Sequence, residues 1–321
     1  MKRRTFIAGL GSVAAWPVVA GAQQDGRVRR IGILDGGPGG LGGAMRERLT
    51  ALGWIEGRNA RFDLLLSAGD PDRLGAYADE LVRLAPDVIG VVSGPAAQAL
   101  VQRTRTIPIV FTNVGDPVAV GLLKNIARPE GNATGITNQY QSLGGKWLEL
   151  LKEAAPRTTR VAIMFAPENV NDQYFSVIDA AADALTVKAI RTPYRNAAEL
   201  ESAIDAFAAE PNGALVMVPP PPSLSNRELI NRLALKYRLP TIYSFRSFPA
   251  EGAMMGYGSD DLEASRIAAT YVDRILRGAK INELPVQFPT KFNLVINLKT
   301  AKVIGLTVPQ SILLRADEVI E

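Results

Sequence analysis

The 321-residue chain contains no cysteine and no histidine. Those absences exclude nucleophile arrangements of the Ser-His-Asp and Cys-His kinds, and zinc centres built on Cys or His. No disulfide can form, and no cysteine is available for a lipoprotein anchor. A strong charge of either sign is also missing, since 36 Lys and Arg face 32 Asp and Glu. Lys2, Arg3 and Arg4 supply most of that excess, and no basic stripe with interleaved aromatics follows them. Nucleic acid is therefore not an expected partner. After the leader, no apolar run approaches the roughly 18 residues of a membrane span. What is present is a 47% hydrophobic content, ample for two core-forming domains.

The first residues, MKRRTFIAGLGSVAAWPVVAGAQQ, run from basic to apolar to small. That order is an export signal, with cleavage expected after Ala22 and Gln23 at the mature terminus. Arg3-Arg4 ahead of Phe6-Ile7 fits the twin-arginine route, and a Sec signal with a chance arginine pair fits as well. The expected location is periplasmic.

From about Arg29 to Tyr257, short apolar runs alternate with amphipathic stretches. The runs RIGIL, ARFDLLL, DVIGVV, IPIVFT and NATGIT form a first series of strands, and RVAIMF, TVKAI, GALVMV, PTIY and AMMGYG a second. Asp70-Pro71 is a helix start, a capping acid followed by proline in the first turn. Two such series imply an α/β fold of two doubly wound parallel-sheet lobes with a cleft between them. The expected first lobe is 28–138 plus about 258–281, and the second 139–257. A tail, 282–321, is expected to pack across both, with short strand-like pieces at PVQF and FNLVINL.

In such sheets, ligands sit beyond the carboxyl ends of the strands. The candidate ligand contacts are therefore Ser93, Gly94, Ala96, Asn113, Asp116, Asn138 and Tyr140 in the first lobe. Asn169, Asn171, Tyr243, Phe245, Arg246 and Tyr257 are the candidates in the second. Each has a plainer role open to it: a cap, a turn, packing, or a solvated surface. The stretch VVSGPAAQAL carries the sharpest hypothesis. Pro95 fits a first helical turn, which would leave the amides of Ala96 and Ala97 pointing outward. With the Ser93 hydroxyl they would make a neutral site for a carboxylate. The alternative is an ordinary turn in which Ser93 caps the helix. GPGGLG at 37–42 matches a dinucleotide-binding fingerprint, but the acid expected about 20 residues on is absent from the end of the next strand. A nicotinamide-dependent oxidoreductase thus remains an alternative, with a flexible glycine loop as the simpler account.

The blocks IPIVFTNVGDPVAVGLLKNIARPEGNATGIT, KWLELLKEAAP, KFNLVINLKTAKVIGLTVP and ADEVIE resemble the bacterial substrate-binding proteins of ATP-driven importers. That family includes tryptophan- and tyrosine-binding members. The resemblance implies a type I periplasmic binding fold and no enzymatic activity. It further implies no cofactor or metal, a monomer, and an inner-membrane permease with its ATPase as partners. A receptor presenting its closed form to a membrane sensor would look the same. The resemblance also places Ser93-Gly94-Pro95-Ala96 at a turn that holds a ligand carboxylate. Where amino-acid-binding members carry Asp after the fifth strand, this chain has Thr137-Asn138. An amide there cannot neutralise an ammonium, which leaves open whether the ligand carries one.

Overall fold

The computed structural model describes residues 27–37, 40–118, 120–138, 143–167, 172–218 and 226–321. The leader lies outside the described residues. The first sheet is built from β1 (Arg29–Asp35), β2 (Ala60–Leu66), β3 (Val88–Val92), β4 (Ile109–Val114) and β5 (Ala133–Thr137). All five strands are parallel, in the order β2-β1-β3-β4-β5. Between them run α1 (Leu41–Ala51), α2 (Pro71–Arg83) and α3 (Gly94–Arg103). The start of α2 follows the sequence signal: the Asp70 carboxylate accepts the amides of Asp72 and Arg73, with Pro71 at the first position.

The second lobe carries α4 (Gly144–Ala154), β6 (Arg160–Phe165), α5 (Asp172–Ala184), β7 (Lys188–Pro193), α6 (Ala197–Ala208) and β8 (Gly213–Met217). It continues through α7 (Arg227–Tyr237), β9 (Thr241–Tyr243) and β10 (Met255–Ser259). Then α8 (Asp261–Leu276) leaves to pack on α1 and on β3, β4 and β5. The chain ends in β11 (Phe292–Asn297), α9 (Leu298–Val303), α10 (Gln310–Leu313) and β12 (Glu318–Ile320).

The second sheet has seven strands, in the order β12-β11-β10-β9-β8-β6-β7. It is mixed where an all-parallel sheet was expected, because β11 pairs antiparallel with β10. The tail thus extends this sheet. Its PVQF piece is not a strand: Gln287 forms one isolated bridge to Ile136 at the edge of the first sheet. Pro285 and Pro289 flank it, and neither has an amide to extend a ladder.

Each sheet is covered on both faces. In the first, Ile31, Met45, Val110 and Ala268 pack on the α1–α8 side, and Leu81, Ile89, Leu100 and Phe111 on the α2–α3 side. In the second, Trp147, Ile163, Val216 and Ile296 fill one face, and Met164, Leu215, Ile230 and Phe248 the other. The chain changes from one core to the other after β5, at 259–261 after β10, and at 288–291 before β11. Among the described residues no helix is long and apolar enough to cross a membrane.

Candidate functional site

Strands β5 and β10 each leave their own sheet at the carboxyl end and enter the other lobe. The carboxyl edges of both sheets therefore lie on the side where the chain crosses, and the loops beyond them share that side.

Ser93 follows β3 directly. Its backbone is held at φ 93° and ψ 148°, and its hydroxyl makes no capping bond to α3. The Ser93 amide donates to the Thr112 carbonyl at 3.1 Å, and its carbonyl accepts from Ala97 at 3.1 Å. The Ala97 amide is thus consumed by the helix, a correction to the expectation that it points outward. Gly94 and Ala96 keep amides without a partner among the described residues. Gly36 approaches from the loop after β1, where a Cβ would overlap the Ser93 hydroxyl. The first and third loops therefore touch only because residue 36 lacks a side chain.

Asn113 sits at φ 58° where the β4–β5 register shifts, and its Oδ1 accepts from the Asn138 side-chain Nδ2. These two candidates are brought together, and Asn138 is nearly buried. Asp116 Oδ1 accepts the Val118 amide at 3.0 Å, which makes it a turn cap. Tyr140, Asn169 and Asn171 lie outside the described residues.

Three second-lobe candidates are placed elsewhere than expected. Tyr243 is 1% exposed, stacks on Phe248 at 4.5 Å and donates to Asn231 Oδ1 at 3.0 Å. Burial pushes its phenol well above the usual range. Phe245 also packs in that core, 5.6 Å from Phe248. Both rings turn inward to pack with Phe248 in the core beneath the end of β9. Arg246 is paired with Asp260 at 2.6 Å and Glu318 at 3.6 Å, so its charge is met within the protein. Tyr257 is half-buried with its ring 6.1 Å from that of Phe292.

Four residues not among the sequence candidates, Ser67, Thr112, Ser265 and Asn293, join Ser93 here. Five buried polar side-chain atoms lack a hydrogen-bond partner among the described residues: Ser67 Oγ, Ser93 Oγ, Thr112 Oγ1, Ser265 Oγ and Asn293 Oδ1. Ser67 and Ser93 each follow a strand end, and Thr112 is near the end of β4. Ser265 lies in the second turn of α8, just past a crossing. Asn293 lies opposite Gly258, one residue from the end of β10. All five thus fall on the side where the carboxyl edges and crossings meet. Buried polar groups are ordinarily satisfied, and an orphan costs about 1–3 kcal/mol.

Asp35 is fully buried, and its carboxylate accepts the amides of Gly37 at 3.0 Å and Gly42 at 2.8 Å. Burial raises its pKa above the ordinary value, partly offset by those two bonds. Two amides of the glycine loop are thus spent on an internal acid, whose charge would oppose a pyrophosphate. Asp63 is bound to Arg30 at 2.6 Å. The dinucleotide reading, already without the acid at the end of β2, thus loses its loop as well.

Residues 41–320 match the family described as ABC transporter substrate binding protein. A tyrosine-binding protein of Clostridioides difficile (strain R20291) is 27% identical over 264 residues, spanning 81% of this chain and 75% of that one. The crystal structure of a conserved domain protein from Vibrio cholerae O1 biovar eltor is 29% identical, with a TM-score of 0.82. It covers 91% of this chain and 100% of its own. The ABC domain from Streptococcus pneumonia in complex with L-Trp is 21% identical, with a TM-score of 0.83 and the same coverage.

Proposed function

This chain belongs to the ABC transporter substrate binding protein family, and we propose that it is the exported, solute-binding component of an ATP-driven importer. In this reading the lobes, 28–138 with 258–281 and 139–257, close on a small polar solute bearing a carboxylate. Solute then passes to an inner-membrane permease and its ATPase. The observation that carries the reading is the placement of orphaned polar groups, among the described residues, near strand ends and crossings of both lobes. Ser93 Oγ and the amides of Gly94 and Ala96 are donors at a helix start, suited to an anion. The Asn113–Asn138 pair adds neutral groups beside them. Tyrosine and tryptophan, the ligands named for two of the similar proteins, are amino acids with aromatic side chains. An amino-acid-like or aromatic acid is accordingly the solute class to test first.

The experiment uses protein from the exported fraction, with N-terminal sequencing expected to start at Gln23. Thermal shift is measured with tyrosine, tryptophan, branched amino acids, aromatic acids without an amino group, and dicarboxylates. A solute at 100 times its dissociation constant stabilises by about 2.7 kcal/mol. One class should raise the melt, and calorimetry should give a saturable isotherm. No response across the panel, or nicotinamide or flavin absorbance in the purified sample, would overturn the reading.

A further inference from the structure

Arg246 is not available to a solute, but its surroundings suggest another task. The loop after β9 lies directly on β10, the strand that leads out of the second lobe. A Cβ at residue 256 would overlap the Phe245 carbonyl, and one at residue 258 the Ser244 carbonyl. The two glycines therefore seat Arg246 beside the crossing at 259–261. Its Nη1 donates to Asp260 Oδ2 at 2.6 Å, and its Nη2 lies 3.6 Å from Glu318 Oε2 on β12. Asp260 is the N-cap of α8, and its Oδ1 accepts the Glu263 amide at 3.1 Å. One carboxylate thus grips both the first turn of a helix packed on the first lobe and a guanidinium fixed to the second.

We propose that Arg246 is a strap between the lobes, a positioning residue that sets their angle in the unliganded protein and so tunes solute affinity without touching solute. The inference rests on the two-lobe binding reading above. Both ends of the strap are anchored, by the glycine-seated loop and by the helix cap. Rotation about the 259–261 crossing must therefore lengthen or repack the Arg246–Asp260 pair. Apparent affinity scales with the population of the binding-competent arrangement. The three side chains are 34%, 24% and 52% exposed, so the pairs are modest and weakened by salt. Breaking them should change apparent affinity by about two- to fivefold.

The lack of cysteine permits a clean test. Spin labels are placed on Ala76→Cys in α2 and Glu201→Cys in α6, both exposed sites. The distance distribution is recorded without solute, in low salt and in about 1 M salt. The parent distribution should shift with salt. Arg246→Gln should show the shifted distribution already in low salt, and Glu318→Gln a smaller change. Arg246→Lys should restore part of the parent distribution, with the urea midpoint unchanged throughout. Identical low-salt distributions in the parent and Arg246→Gln would overturn the strap. So would failure of Arg246→Lys to restore any of the parent distribution. These readouts need no solute, so a failed strap is distinguishable from a failed binding reading.

Discussion

Ser93 adopts a backbone conformation that is costly for any residue with a Cβ, by about 1–3 kcal/mol. It is held there by its amide bond to Thr112 and its carbonyl bond from Ala97. The hydroxyl takes no part in that holding, since it makes no capping bond to α3 and is buried without a partner among the described residues. Removing that orphan should therefore raise the urea midpoint of unliganded Ser93→Ala, and in no case lower it. If the hydroxyl donates to a carboxylate, a bond of about 1.5–3 kcal/mol is lost and affinity falls roughly ten- to a hundredfold. Ser93→Gly should lose the same affinity yet gain about 1 kcal/mol of stability, because glycine accepts positive φ without strain. Calorimetric titration and a urea melt on both variants check this. Ser93→Ala with full affinity and a lower melt would mean that the hydroxyl serves the fold alone.

Helix α1 has no capping side chain at its own start, where Gly40 is left-handed. Asp35 does the work from the end of β1, reaching the Gly42 amide across the glycine loop. Its burial holds the carboxyl above its ordinary pKa of 3.8. At neutral pH the folded state therefore carries the cost of a buried charge. That cost falls as pH drops through the raised folded value, and is gone below the unfolded one. Asp35→Asn has no such dependence at this site. The stability of the parent relative to the variant should thus rise as pH falls from 7 towards 4, as read by urea melts across that range. A flat difference, or one of opposite sign, would refute it. The same elements show what the sequence makes legible. The Asp70-Pro71 start, the buried β3 run and the two strand series were readable because capping and periodicity are local. Tyr243 and Phe245 were not: whether a strand-end ring faces solvent or core depends on Phe248 and the chain beyond. Arg246 meets partners 14 and 72 positions away, and Ser265 and Asn293 reach the cleft side only through the crossings. No local pattern encodes those meetings.

Each lobe has a sheet covered on both faces and its own buried core. The chain changes lobes after β5, after β10 and before β11, and the buried clusters of the two lobes are separate. Such pairs move as rigid bodies about their connections. Ser93 and Thr112 belong to the first lobe, and Asn293 to the second. On the proposed reading, one small solute would engage groups from both edges, and closure would bring them together and remove the solute from water. X-ray scattering should therefore show a smaller radius of gyration when the compound found by thermal shift is added to saturation. A site complete within one lobe predicts a different result, since pre-formed sites move little on binding. Binding proved by calorimetry with an unchanged radius of gyration would place the site in one lobe and remove closure from the mechanism. A decrease in the parent that also occurs in Arg246→Gln, from a different unliganded starting value, would separate the movement itself from the strap that biases it.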